Sequence, residues 1–377
     1  MNPLIKWPGG KSSEIKQIKH LIPEFNRYVE PFFGGGALYF YLKPQNAAIN
    51  DISETLMDYY SLLKIQDKQF LEYLKLYNLS FNSLVDICEY NYSDISKIFF
   101  SYKDQKLEVD NLKKTVTALV LKLFDYDYFK NISNLILSED EFLGFIIKMS
   151  VDKIKRTVTN DKKASFSDDD LKNNLIIGFT SGYYMYFRKI YNDINLGRNT
   201  SVSKQYKVAN FYFIREYCYG SMFRYNRQGE FNIPYGGISY NRKNFKEKID
   251  NMFNNVAASN EVEDVFDGTD IYCTDFEDFL DNIELNSDDF MFLDPPYDTD
   301  FSNYEGKDFT KKDQERLAEA LKKTKAQFIL VIKNTEFIYS LYKDIFQILT
   351  FDNQYTYNVR SRNNRNVEHL IITNLPI

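Results

Sequence analysis

Phe292-Leu293-Asp294-Pro295-Pro296-Tyr297 is the stretch whose residue types are best suited to chemistry. An apolar strand-like run ends in an acid, two prolines and an aromatic, and open parallel sheets build their sites at the carboxyl ends of such strands. Two prolines cannot continue a strand ladder, so the chain turns out rigidly and presents Asp294 and Tyr297 on a fixed platform. An exocyclic amine conjugated to a purine is a poor nucleophile, because its lone pair is delocalised into the ring. A carboxylate and a backbone carbonyl that accept its two hydrogens localise that pair for attack on a methyl sulfonium. Asp294 and the carbonyl of Pro295 are the candidate acceptors, and Tyr297 is the candidate stacking partner of the base. The plainer alternative, a strand-ending turn with an ordinary capping Asp, ranks below this reading.

A second constellation is Glu30-Pro31-Phe32-Phe33-Gly34-Gly35-Gly36 followed by Asp51. The acid falls about 20 residues on, the offset that reaches ribose hydroxyls in nucleoside-binding α/β folds. A complete dinucleotide fingerprint needs a further Gly where Tyr39 stands, so a nicotinamide dehydrogenase is disfavoured and a shorter adenosyl ligand without pyrophosphate fits better. The run Lys6-Trp7-Pro8-Gly9-Gly10-Lys11-Ser12 superficially resembles a phosphate loop, but a true one requires Gly where Ile5 sits. Trp7, the sole tryptophan, is as readily a packed side chain as a functional one.

The elements that must position these residues read as α/β. A strand-like run from Tyr28 to Phe32 enters the glycine cluster, a helix follows from Ala37, and a second strand over Ala47–Asn50 ends at Asp51. From Glu54 to Phe213 the period is helical, with a polar loop at residues 160–165. Residues 224–240 fit a β-hairpin and its exit. Strand candidates then resume at Asp270–Cys273, Phe290–Leu293, Gln327–Ile332, Tyr355–Val359 and Val367–Thr373. The expected architecture is a Rossmann-like sheet domain, residues 1–59 and 251–377, interrupted by a mainly helical domain, residues 60–250, that carries the hairpin.

Composition bounds the partners. The chain has 377 residues, 44% hydrophobic and 17% aromatic, enough for one or two cores. A net charge of −6 argues mildly against nucleic acid, yet Lys204, Lys207, Arg215, Arg224, Arg227, Arg242, Lys243, Lys246 and Lys248 face only Glu216, Glu230 and Glu247 in their stretch, which suits a basic face on an acidic protein. Cys88, Cys218 and Cys273 lie far apart and read as buried small apolar side chains rather than a disulfide or zinc set. His20, in a polar first helix, and His369, in a late strand, accompany no nucleophile, and no metal is implied. No apolar run reaches the roughly 18 residues of a membrane span, so a cytoplasmic protein is expected. The aromatic stripe Tyr183-Tyr184-Met185-Tyr186-Phe187-Arg188-Lys189 reads as core, and Arg360, Arg362 and Arg365 read equally as phosphate contacts or a solvated loop.

In order along the chain, Lys6-Trp7-x-Gly9-Gly10-Lys11, Glu30-Pro31-Phe32-x-Gly34-x-Gly36, Asn50-Asp51-Ile52, the run from Phe223 to Gly236 and Asp294-Pro295-Pro296-Tyr297 resemble the DNA adenine methylase (Dam-like) family of N6-adenine DNA methyltransferases. The region from about Tyr60 to Phe213 matches nothing in that pattern. The resemblance implies transfer of a methyl group from S-adenosylmethionine, leaving S-adenosylhomocysteine, to the N6 amine of a flipped adenine in double-stranded DNA. It implies that Trp7, Lys11, Glu30, Phe32, Gly34, Gly36, Asp51 and Asp294 bind the cofactor, that Asp275 and Phe276 hold its adenine, and that Asp294, with Pro295 and Tyr297, is also catalytic. It makes Arg224, Tyr225, Asn226 and Arg227 the DNA-contact candidates; arginine reads guanine, asparagine reads adenine, and an aromatic wedges where a base has left the stack. Extruding a nucleotide costs a few kcal/mol, which a second domain's contacts offset. The competing readings are an RNA adenine or protein glutamine acceptor, and a DNA-binding regulator without catalysis. Recognition sequence, oligomeric state and the existence of a separate restriction endonuclease stay open.

Overall fold

The computed structural model describes residues 3–7, 14–222, 224–237, 266–296, 303–304, 307–354 and 366–376. The chain divides into two compact units, Met1–Ile65 with Asn255–Ile377, and Gln66–Asn254. The expected boundary at 59/60 falls inside a helix, α3 (Glu54–Lys64), whose Tyr60 hydroxyl donates to the Gly34 carbonyl at 3.0 Å and whose Lys64 Nζ donates to the Thr269 carbonyl at 2.6 Å. Helical periodicity marked α3 correctly but carries no sign of which core it serves.

The first unit is built on a seven-stranded sheet. After α1 (Ile15–Ile18) come β1 (Arg27–Glu30), α2 (Ala37–Leu42) and β2 (Ala47–Asn50). Beyond the second unit follow β3 (Thr269–Tyr272), α11 (Phe276–Asn282), β4 (Asp289–Leu293), a two-residue ladder of β5 (Asn303–Tyr304) with β6 (Lys307–Asp308), α12 (Lys311–Lys323), β7 (Gln327–Lys333), α13 (Glu336–Tyr342), β8 (Gln347–Gln354) and β9 (Asn366–Thr373). The sheet order is β3-β2-β1-β4-β7-β9-β8, parallel except for β9, which runs antiparallel to both neighbours. All five residues of β4 and the middle five of β7 are buried, the near-continuous apolar reading of strands covered on both faces. Val29, Met291, Leu293, Phe328, Leu330, Leu317 and Leu321 belong to one apolar cluster of this unit. Strand order reverses beside β1, so the crevice at the carboxyl ends of β1 and β4 is where such a sheet takes its ligand.

Local signals misplaced some details. His20 lies in the turn after α1, not in a helix. Cys88 and Cys218 are buried, but Cys273 is exposed because it directly follows β3 at the sheet margin. Of the two terminal strands, β9 matches Val367–Thr373, whereas its partner β8 spans Gln347–Gln354; Tyr355–Val359 lies outside the described residues. As an edge strand β8 has little apolar alternation to announce it. No helix among the described residues is long and apolar enough to cross a membrane.

The second unit is helical: α4 (Lys68–Tyr90), α5 (Tyr92–Lys103), α6 (Val109–Leu123), α7 (Tyr126–Lys130), α8 (Glu139–Asp161), α9 (Asp168–Asn195) and α10 (Lys204–Tyr217). Ser138, Ser167 and Ser203 cap α8, α9 and α10 by accepting a backbone N–H three residues on. The stripe Tyr183, Tyr184, Tyr186 and Phe187 is fully buried, as core. Helices α8 and α9 approach so closely that a Cβ on Gly182 would lie 2.5 Å from the Ile146 Cα, and one on Gly178 3.0 Å from the Ser150 Cα. Gly144, on α8, has nothing within 4 Å of where its Cβ would stand.

Two alanine substitutions therefore have opposite expected signs. Gly182→Ala forces the helices apart and destabilises the protein by about 1–3 kcal/mol. Gly144→Ala removes backbone entropy from the unfolded chain and stabilises by roughly 0.5–1 kcal/mol. Urea unfolding of both variants reads the difference; destabilisation of equal size in both would refute the close-packing account.

Candidate active site

Every sheet residue singled out by its chemistry sits at the carboxyl edge of a parallel strand. Glu30 is the last residue of β1, Asp51 follows β2, Asp275 follows β3 and caps α11, and Asp294 follows β4. The strand ends are tied together by Asn50, which is 1% exposed. Its Nδ2 donates to the carbonyls of Pro31 and Thr274, both at 3.1 Å, and its Oδ1 accepts from the Thr274 N–H at 3.0 Å. One amide thus links the exits of β1 and β3 across β2.

The glycine turn is shaped from below and above. Asp51 Oδ2 accepts from the Gly34 N–H at 2.9 Å and Oδ1 from the Ser53 N–H at 3.0 Å. Burial raises the Asp51 carboxyl, and the N–H groups of Ser53, Gly34 and Ile52 oppose that rise. Gly34 and Gly36 have φ of +49° and +62°, where L side chains are strained. Trp7 packs on this turn: a Cβ on Gly34 would stand 2.7 Å from the indole Cδ1. Tyr39, fully buried, donates or accepts with Thr269 Oγ1 at 2.8 Å and so fills the place of a third fingerprint glycine. Lys11 and Tyr297 lie outside the described residues, as do Arg360, Arg362 and Arg365.

Glu30 is only 2% exposed and accepts from the Tyr28 hydroxyl at 2.7 Å. Burial holds its carboxyl well above the usual carboxylate range; the Tyr28 hydrogen bond opposes, and the negative charges of Asp294 and Asp51 push it further up. Three acids, Glu30, Asp51 and Asp294, therefore gather at the floor of the site, with the charges of the last two raising the first. Such a set favours a cationic ligand and repels a pyrophosphate.

On the β3 side, Phe32 packs against Phe276 and Phe309 with ring centroids 5.3 and 5.6 Å apart. Arg316, on α12, lies over the Phe276 ring at 4.8 Å and binds Asp275 Oδ1 at 2.5 Å, Glu277 at 2.7 Å and Asp313 at 2.8 Å. Burial works against its charge, and the bonds to Asp275, Glu277 and Asp313 more than offset it. Asp275 also accepts from the Glu277 N–H at 2.9 Å, so its orientation is set twice. Sequence reading missed Arg316 and the tie made by Asn50. An Arg in a charged amphipathic helix looks like solvated surface until its partners on α11 are seen.

In the second unit, the expected hairpin is a narrow antiparallel pairing with bridges at Cys218–Tyr235 and Tyr225–Phe231, rather than two full strands. Its backbone bonds run from Gly236 N–H to the Tyr217 carbonyl (2.9 Å) up to Asn226 N–H to the Glu230 carbonyl (2.8 Å). Helix α9 holds it. Tyr184 and Arg188 donate to the Ile233 carbonyl at 3.0 and 3.1 Å, and Asn192 bonds both the N–H and the carbonyl of Phe231. Asn226 Oδ1 accepts from the Gln228 and Glu230 N–H groups, and Nδ2 donates to Glu230. The Tyr225 hydroxyl pairs with that of Tyr191 at 2.9 Å. Two of the four DNA-contact candidates, Tyr225 and Asn226, are therefore spent on the loop's own shape. Arg224 is exposed on the flank of the loop, where its Nε donates to Asn232 Oδ1 at 3.1 Å, and Arg227 is exposed at the tip.

Two measurements check this geometry. Gly34→Ala pushes the sole indole into water, and a red shift of tryptophan emission is expected; an unchanged spectrum would mean that Trp7 does not pack there. Because folded Glu30 keeps its proton above the range of the unfolded group, it subtracts stability as pH rises through that range and up to its folded value. Glu30→Gln should flatten the pH dependence of the urea midpoint above about pH 5 and match or exceed the parent at neutrality. Superimposable profiles would contradict it.

The family model of the D12 class N6 adenine-specific DNA methyltransferases matches residues 7–140 and 146–357. The chain is 25% identical over 381 residues to the type II methyltransferase M.CviBI of Paramecium bursaria Chlorella virus NC1A, covering 99% of this chain and 100% of that one. It is 26% identical over 338 residues to the type II methyltransferase M.MjaIII of Methanocaldococcus jannaschii, covering 86% and 80%. Over 149 residues it is 31% identical to the retron Ec67 DNA adenine methylase of Escherichia coli, covering 39% and 48%. An acid-floored crevice after β1 and β4 and a family match across most of the chain agree: the chain belongs to the D12 class of N6 adenine-specific DNA methyltransferases.

Proposed function

We propose that this adenine-specific DNA methyltransferase uses S-adenosylmethionine and that Asp294 and the Pro295 carbonyl activate the amine of an adenine flipped out of double-stranded DNA. The observation that carries the reading is the position of Asp294 on a Pro-Pro turn after β4, beside the glycine turn of β1, with Glu30 sensing the charges of both Asp294 and Asp51. That acid set fits a ligand bearing a sulfonium and an ammonium. Bound there, the cofactor supplies an electrophilic methyl group and departs as a neutral thioether.

The chain's own groups do the rest. Trp7 and the Gly34–Gly36 turn wall the ligand, and the Asp51 lone pairs left by its two backbone bonds accept ribose hydroxyls. Asp275 accepts the cofactor's adenine amine, and Phe276 with Phe32 lines the ring. Asp294 and the Pro295 carbonyl take hydrogen bonds from the substrate amine, and Tyr297 stacks on the base. As the nitrogen bonds to carbon, the electron pair of the breaking carbon–sulfur bond goes to sulfur, and the surplus proton leaves nitrogen through the Asp294 carboxylate to water.

In the second unit we assign DNA contact to Arg224 and Arg227, with Tyr225 and Asn226 as shape-givers. The type II methyltransferases among the relatives favour a modification enzyme with a companion endonuclease elsewhere. We place its action in the cytoplasm, on a bacterial nucleoid or in a phage-infected cell.

Mass spectrometry of nucleosides from unmethylated DNA incubated with S-adenosylmethionine should give N6-methyladenine with the intact protein and none with Asp294→Ala. Methylation retained by that variant would sink the assignment. Arg224→Ala and Arg227→Ala should each weaken DNA binding by about 1–3 kcal/mol if they read bases, or uniformly with a shallower salt dependence if they meet phosphates. Tyr225→Phe should leave DNA affinity within about threefold. A larger loss would return that hydroxyl to the DNA.

A further inference from the structure

Gln314, in the second turn of α12, is 0% exposed, and α12 otherwise buries Leu317, Ala318 and Leu321. Its position in that stripe is one an apolar side chain would fill. Nε2 donates to the Pro296 carbonyl at 3.0 Å, while Oε1 has no hydrogen-bond partner among the described residues. A buried amide left half satisfied costs stability that a leucine would not. The orientation is nonetheless dictated, because only the nitrogen end of an amide can face a carbonyl.

The helix that carries Gln314 is itself fixed. Thr310 and Asp313 form a reciprocal capping box in its first turn, and Arg316 ties the next turn to Asp275 and Glu277. The Pro296 carbonyl is one peptide beyond the Pro295 carbonyl and belongs to the peptide that leads into Tyr297. Pro295 and Pro296 have no N–H, so neither can anchor the turn through a donor of its own. Among the described residues, the donor to the Pro296 carbonyl arrives from α12.

We propose that Gln314 is a positioning residue for methyl transfer, holding the Asp294-Pro295-Pro296 turn in its reactive orientation through the Pro296 carbonyl. The proposal rests on the reading of Asp294 and the Pro295 carbonyl as the amine acceptors. Gln314 touches neither substrate nor cofactor in it and acts only through the turn, so its loss is expected to fall mainly on turnover and only slightly on a cofactor that Glu30, Asp51 and the glycine turn also hold.

The test measures kcat, the Kd for S-adenosylmethionine by calorimetry and the urea midpoint for Gln314→Leu, Gln314→Glu and Asp294→Ala. Gln314→Leu should lower kcat about 10- to 100-fold, the scale of a small misplacement of reacting groups, with the cofactor Kd within about twofold of the parent. Its urea midpoint should be equal or higher, which a merely structural role would not give. Gln314→Glu, whose carboxyl donates only when protonated, should recover turnover relative to the parent as pH falls. Parental kcat in Gln314→Leu, or a loss accounted for by cofactor affinity, would overturn the proposal. If Gln314→Leu fails to fold, the pH profile of Gln314→Glu decides: a ratio to the parent that does not change with pH overturns it. Methylation surviving in Asp294→Ala would instead remove the acceptor reading, whatever Gln314 does.

Discussion

The buried amide of Asn50 is the interaction on which the site's geometry depends. Parallel strands end independently, and nothing in a ladder of backbone bonds fixes where the chain goes once the strand has stopped. Asn50 bonds the exits of β1 and β3, including a partner 224 residues away in sequence. At the opposite end of the sheet, Arg27 and Asp289, register partners on β1 and β4, form a bidentate pair at 3.0 and 2.6 Å. With both ends pinned, Asp51 and Asp294 are held close enough for Glu30 to feel their charges. Burial and the charges of Asp294 and Asp51 together keep the proton on Glu30.

Rigidity is distributed unequally between the parts that meet chemistry and those that meet surface. Around the crevice, three polar side chains are held more than once: Asp51 accepts from two N–H groups, Asp275 from an N–H and a guanidinium, and Arg316 serves three carboxylates. In the helical unit the same economy appears along α9, where Tyr184, Arg188, Tyr191 and Asn192 each grip the segment from Tyr225 to Ile233. What remains exposed on that segment is Arg224 on its flank and Arg227, Gln228 and Gly229 at its tip. A stiff loop with long cationic ends suits a target whose phosphates are regularly spaced.

The parts legible in the sequence were those in which local chemistry and global position coincide. Apolar runs into Glu30, Asp51 and Asp294 mark strand ends because a buried parallel strand has to be apolar and its carboxyl end has to stop. Tyr39 in place of glycine told against a dinucleotide, and the structure shows that position filled by a buried ring bonded to Thr269. The parts that stayed hidden depend on pairings between distant segments. Arg316 and Gln314 are polar residues of a charged helix whose partners, Asp275, Glu277 and Pro296, lie on other segments. Tyr225 and Asn226 have the residue types of base readers, yet their bonding groups go to Tyr191, Gln228 and Glu230. Neither the close passage of α8 at Gly182 nor the membership of α3 in the sheet unit leaves a periodic trace.

The insertion point of the helical unit governs the order in which the protein can be made. It interrupts the crossover from β2 to β3, so β1 and β2 emerge from the ribosome long before β3 or β4 exists to flank them. At roughly 5–20 residues per second, the stretch from Gln66 to Asn254 occupies about 10–40 s of synthesis. The helical unit is continuous in sequence, whereas the sheet lacks β3 and β4 until the insertion has been synthesised. In this chain the part proposed to find DNA is complete before the part that modifies it.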